Sequence, residues 1–119
     1  MDSRLLWGTV EMLILEVVAQ APTYGYEIGQ TVTARSRGYF DLKEGSLYPA
    51  LHRLEQQKLL SSYWDEVEGR RRKYYKLSAR GQTTLDEKKA EWKAFAQGVA
   101  GVLGVDGARA VPAAECGGA

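Results

Sequence analysis

The densest chemistry in this chain is a run of four consecutive cations, Arg70, Arg71, Arg72 and Lys73, followed by Lys76 with no acid between. Adjacent guanidinium and ammonium groups suit a polyanion, because each phosphate contact releases condensed counterions and the gains accumulate. Asp65, Glu66 and Glu68 come just before the run. Net charge is only +1, from 16 basic and 15 acidic residues. The local field, more than the net charge, decides where a polyanion docks. A charge run is commonly a solvated loop, so its setting must decide between the two readings.

Other reactive residue types are scarce. The 119 residues include one cysteine, Cys116, and one histidine, His52. One cysteine forms neither an intramolecular disulfide nor a cysteine-based metal cluster, and one histidine excludes the usual multi-histidine sites. No D-x-D-x-D-G loop is present. No nucleophile, base and orienting group can be assembled, so we expect no enzyme, no metal and no cofactor. Gly98, Gly101 and Gly104 are evenly spaced, but they follow no strand and open no helix, as a phosphate-binding loop would.

The chain is 45% hydrophobic and 26% charged, the profile of an ordinary globular protein. Its length fits one domain with some additional structure. No apolar run reaches the roughly 18 residues that span a bilayer. Met1–Trp7 carries one acid and one base and leads into no signal-like apolar core with a cleavage site. A cytoplasmic location is therefore expected.

The elements that would position these groups follow from periodicity. Val10, Leu13, Ile14, Val17 and Val18 make one apolar face of a helix over Thr9–Gln20. Ala21-Pro22 ends it, and Thr23 is a fitting N-cap for the next helix. Tyr24–Ser36 reads as that second helix, with Tyr24, Ile28 and Val32 buried and Gly38 as its stop. Tyr39–Leu42 reads as a short extended link with apolar side chains to bury. Glu44–Gln57 reads as a third helix with Leu47, Leu51 and Leu54 facing the core. Pro49, His52, Arg53 and Gln56 occupy its opposite face, with Ser46 and Tyr48 at its start. Leu60–Trp64 and Lys73–Leu77 read as strands rich in aromatics, joined by a charged loop over Asp65–Arg72. Ser78 is an N-cap for a long final helix to about Leu103.

In that last helix Leu85, Trp92 and Val99 recur every seven residues. Phe95 and Val102 hold the other core position, with Lys88 interrupting. A seven-residue repeat suggests packing on a partner helix, so Leu85, Trp92, Phe95, Val99 and Val102 are candidate dimer contacts. From Gly104 onward the Gly/Ala-rich composition suits a flexible tail.

Three helices, a hairpin and a helix make an α+β chain, mostly α, with winged helix-turn-helix order and a C-terminal dimerisation helix. The divisions are residues 1–77, 78–104 and 105–119. In such a motif the second helix enters the major groove by its N-terminal part. Ser46 and Tyr48 can donate to phosphate, while His52 and Arg53 can reach base edges, arginine preferring guanine. An amphipathic surface helix is the plainer alternative. The basic hairpin after it shifts the balance toward DNA.

Glu44-Gly45-Ser46-Leu47-Tyr48-Pro49-Ala50-Leu51-His52-Arg53-Leu54-Glu55 closely resembles the signature of the PadR family of transcriptional regulators. Tyr24-Gly25-Tyr26-Glu27-Ile28 resembles its second-helix motif, and Gly69–Ser78 its wing. The stretches lie in the family's order and spacing over roughly residues 9–97. The resemblance implies a homodimer, usually a repressor, reading a two-fold symmetric operator in double-stranded DNA. On that basis Tyr24, Tyr26, Ser46, Tyr48, Pro49, His52, Arg53 and Arg70–Lys73 are the candidate DNA contacts. Some short members bind planar aromatic drugs between paired tryptophans on the last helix. Trp92 stands at the matching place, with Gly8, Glu11 and Met12 on the first helix beside it. The chain departs there in its acidic Glu11 and in the added Trp7. The first reading of Trp92 is nonetheless that it fills the dimer seam, with the ligand platform second. The rival readings are a winged-helix module that binds protein without operator DNA, an enzyme, disfavoured for want of a catalytic constellation, and a regulator with no small ligand.

Overall fold

The computed structural model describes residues 3–105, with side chains from residue 8 onward; Trp7's side chain, Cys116 and the tail beyond Val105 lie outside them. The elements run α1 (Ser3–Gln20), β1 (Thr23–Tyr24), α2 (Gly25–Arg35), α3 (Glu44–Gln56), β2 (Leu60–Val67), β3 (Arg70–Leu77) and α4 (Ala79–Leu103). Two compact units divide at Leu85 and Asp86, within α4.

Side chains near multiples of 3.6 residues build the core of the first unit. Ile14, Leu15, Ile28, Leu51, Leu54 and Leu85 are fully buried, and Val10, Met12, Val18, Leu47, Ala50 and Tyr75 join them. α1 starts earlier than its apolar face alone suggests. Leu13 and Val17 are only half-buried, and Leu15 takes the inner position instead.

Thr23 does not cap α2. The N-cap is Tyr24, in extended conformation and without a side-chain cap bond. Thr23 and Tyr24 instead pair with Tyr75 and Tyr74, so a two-residue strand fixes the approach to α2. Beyond α2 the chain turns through left-handed Arg37 and Gly38, and the Gly38 amide donates to the Thr33 carbonyl at 2.8 Å. The link after it buries less than its composition predicts, since Tyr39 is 79% exposed.

The sheet order is β1-β3-β2, all antiparallel. The hairpin is longer than its aromatic segments suggest. Only Glu68 and Gly69 form the turn, both at positive φ (54° and 78°), the geometry of a type I′ hairpin. Arg70–Lys73 are therefore strand residues and not a loop tip. They pair in order with Val67, Glu66, Asp65 and Trp64.

Ser78 does cap α4: its Oγ accepts the Gly81 amide at 2.9 Å and donates to the Lys58 carbonyl at 2.7 Å. Leu85 lies in the protomer's own core at 1% exposure, which removes it from the proposed seam. Trp92, Phe95, Val99 and Val102 are all exposed.

Candidate nucleic-acid interface

α3 has three faces. Leu47, Ala50, Leu51 and Leu54 are buried. Tyr48, His52 and Glu55, spaced i, i+4 and i+7, share a second stripe. Ser46, Pro49 and Arg53 occupy a third. Pro49, His52 and Arg53, one outer face by residue type, are thus divided between the last two.

The second stripe borders a cleft of about 740 Å³, completed by Tyr24 and Tyr26 from β1 and α2 and by Trp64 and Arg70–Lys73 from the hairpin. Eight of the candidate DNA contacts are thus brought together: Tyr24, Tyr26, Tyr48, His52 and the four consecutive cations. Ser46, Pro49 and Arg53 are not among the cleft-lining residues. Arg53 turns to α1, where its Nε donates to the Glu11 carboxylate at 3.4 Å.

Gly25 lets Tyr48 line the cleft. A Cβ at Gly25 would come within 2.6 Å of the Tyr48 ring, so the ring rests where only glycine leaves room. Next to it, Tyr24 meets Tyr74 edge-on at 5.5 Å, and Tyr74 stacks on Tyr63 at 5.8 Å. These rings share one face of the sheet because Tyr24 and Tyr63 are each paired directly across the ladder with Tyr74.

Three of the four cations are seated on side chains of the cleft. Arg71 lies 4.4 Å over the Trp64 ring and Arg72 lies 4.3 Å over Tyr24. Lys73 pairs with Glu55 at 3.5 Å. Glu55 also accepts a hydrogen bond from the Ser62 hydroxyl. That bond is the chief reason its carboxyl is held below its usual value; partial burial opposes it and Lys73 assists. One carboxylate thus ties α3 to both hairpin strands. The Tyr75 phenol beside it is pushed up, first by burial and then by Glu55 and Tyr48. Around one ionised acid, four cations and the phenolic and indole rings make a positive, hydrogen-bond-donating concavity fit for a phosphate backbone.

Trp64, Glu55 and Gly25 were missed as site residues in the sequence. The signal for Trp64 was present: once Glu68-Gly69 is taken as a two-residue turn, Trp64 and Arg71 fall on one face of the hairpin.

Two of the residues matched to an effector pore, Met12 and Glu11, have contacts of their own within the protomer. Met12 belongs to the core and Glu11 holds Arg53, while Gly8 has open space beside its Cα. In the second unit, the Trp92 ring is half exposed and lies 5.9 Å from Phe95. Among the described residues no cluster could hold a metal, and no helix is long and apolar enough to cross a membrane.

Residues 14–87 match the family model described as the transcriptional regulator PadR-like family. A transcriptional regulator of Mycobacterium tuberculosis is 34% identical over 94 residues, which cover 79% of this chain and 85% of that protein. Among solved structures, a PadR family transcription regulator of Clostridium difficile is 38% identical with a TM-score of 0.68, covering 79% of this chain and 96% of its own. A PadR-like transcriptional regulator of Bacillus cereus is 30% identical with a TM-score of 0.76, covering 87% of this chain and 99% of its own.

Proposed function

Because this chain belongs to the PadR-like family of DNA-binding transcriptional regulators, we propose that it is a homodimeric repressor that occupies a two-fold symmetric operator. The cleft between α3 and the hairpin supports this reading most strongly, since it gathers Arg70–Lys73 opposite Tyr48 and His52. On this reading the start of α3 enters the major groove, and the hairpin follows the phosphate backbone. Arg53, on the neighbouring face of α3, is the side chain suited to guanine.

Dimerisation falls to α4. Its exposed Trp92, Phe95, Val99 and Val102 form a stripe that two copies bury together. Half-sites about one helical turn apart must match the spacing of the two α3 helices. A planar aromatic compound between the two Trp92 rings acts as an inducer by favouring a dimer whose α3 spacing no longer fits. A ligand shifts such an equilibrium only as far as its affinities for the two states differ. The cytoplasm is where this regulator works.

Fluorescence anisotropy with duplexes from upstream of the chain's own gene tests the reading. Selective binding is expected, weakening steeply as salt rises. Equal, weak binding to every duplex at low salt would leave the protein-interaction module as the better reading. Titration of planar aromatics against tryptophan emission tests the effector: a flat response across a broad panel would leave Trp92 a packing residue.

A further inference from the structure

Arg71 and Arg72 each have a carboxylate directly across the ladder, Glu66 and Asp65 respectively. Both guanidinium groups lie instead over rings, Arg71 on Trp64 and Arg72 on Tyr24. The Asp65 carboxylate is turned to the Glu66 amide, 2.8 Å away. Successive residues of a strand point to opposite faces, so the two arginines are seated on opposite sides of β3. Both still line the cleft. Trp64 itself is 56% exposed. So large an exposed indole gains little from burial.

We propose that Trp64 and Tyr24 are positioning residues that hold Arg71 and Arg72 extended along the cleft before DNA arrives. A guanidinium stacks flat on an aromatic face while its edge N–H donors stay available. A phosphate then meets a side chain already ordered, and less rotamer freedom is lost on binding. The proposal rests on the DNA-binding reading above, and its test separates the two.

Trp64 gives the cleaner test, because Tyr24 also pairs in the sheet and leads into α2. Trp64→Ala should weaken binding to operator and random duplexes alike, by about two- to fivefold. Its salt slope should stay as in the wild type, since Arg71 still reaches phosphate. Arg71→Ala should instead lower the slope by about 0.9. In the Arg71→Ala background Trp64→Ala should cost nothing further; with Arg71 intact, Trp64→Phe, which keeps an aromatic face, should retain most of the affinity that Trp64→Ala loses. An equal loss in the Arg71→Ala background would overturn the proposal, because the indole would then act through the hairpin's fold. Wild-type or tighter binding by Trp64→Ala would overturn it too, because the ring would then be idle or competing with phosphate. In either case wild-type binding to operator stands. Failure of the wild-type protein to bind duplex DNA would overturn both readings together.

Discussion

Gly25→Ala should separate DNA binding from stability. The new Cβ would lie 2.6 Å from Cε1, 2.8 Å from Oη and 2.9 Å from Cζ of Tyr48. Carbon atoms settle at about 3.5 Å or more, so the ring must withdraw by roughly 1 Å. It has somewhere to go, since Tyr48 is 43% exposed. Displacing it costs about 0.5–1.5 kcal/mol in rotamer strain. Replacing glycine by alanine at a compatible helical position returns about 0.4–1 kcal/mol. The net change is therefore within about 1 kcal/mol, or a Tm shift under about 8 °C. Binding should suffer far more. A hydroxyl donating to phosphate is worth about 1.5–3 kcal/mol, which is about 10- to 150-fold in affinity. Anisotropy and thermal melting on the same samples check both figures, and adding Gly25→Ala to Tyr48→Phe should cost little more. Wild-type affinity in a folded Gly25→Ala protein would remove Tyr48 from the interface. A Tm fall well beyond that range would show that the ring cannot leave, and the reasoning about its freedom would be wrong.

Three further outcomes are expected. Gly81→Ala should cost about 3 kcal/mol, seen as a lowered urea midpoint. Its Cβ would collide with the Leu59 carbonyl and lie 2.8 Å from Leu77 Cδ1, and the backbone cannot yield as an exposed ring can. Glu55→Gln should flatten the acid limb of stability. The folded carboxyl is lowered, so its contribution is complete above the ordinary carboxylate range and fades as pH falls through the lowered value; urea midpoints between about pH 6 and 3 measure it. Phe95→Glu should give a monomer by light scattering, whereas a dimer of unchanged stability would move the seam away from α4.

The helical half of the fold was legible because burial follows a 3.6-residue period over long stretches. Ile14, Ile28, Leu51 and Leu54 all fall where periodicity puts them. β1 was not legible, since two residues carry no period. The outer hairpin was hidden because Asp65, Glu66 and the arginines lack strand propensity. What holds them extended is ladder pairing and the rings beneath two of the cations, which depend on register and not on residue type. Leu85 exposes a different limit. A seven-residue stripe says that a helix face is covered, and not by what: its upper end packs on the protomer's own core. The cleft was legible as a list of residues but not as a surface. Tyr48 and Arg53 sit five positions apart on one helix, yet one lines the cleft and the other turns to α1.

That divergence gives Arg53 a testable role of its own. Its Nε meets Glu11, whose side chain is 16% exposed against 41% for Arg53. Guanine O6 and N7 take only two of the five N–H donors of a guanidinium. A contact through Nε is therefore compatible with base reading and fixes the direction of the remaining fork. The carboxylate also offsets the charge that would draw Arg53 to any nearby phosphate. Glu11→Gln keeps the shape and an acceptor oxygen while removing that charge. A pair whose arginine is this exposed is worth on the order of 1 kcal/mol, so binding to random-sequence duplex should tighten by up to about fivefold. Operator affinity should rise less, because a fork held through a weaker, neutral acceptor is aimed at guanine less firmly, and the ratio between the two should fall. If random-sequence affinity dropped instead, the carboxylate would be presenting Arg53 to DNA and not restraining it. An unchanged ratio with unchanged affinities would reduce the pair to scaffolding between α1 and α3.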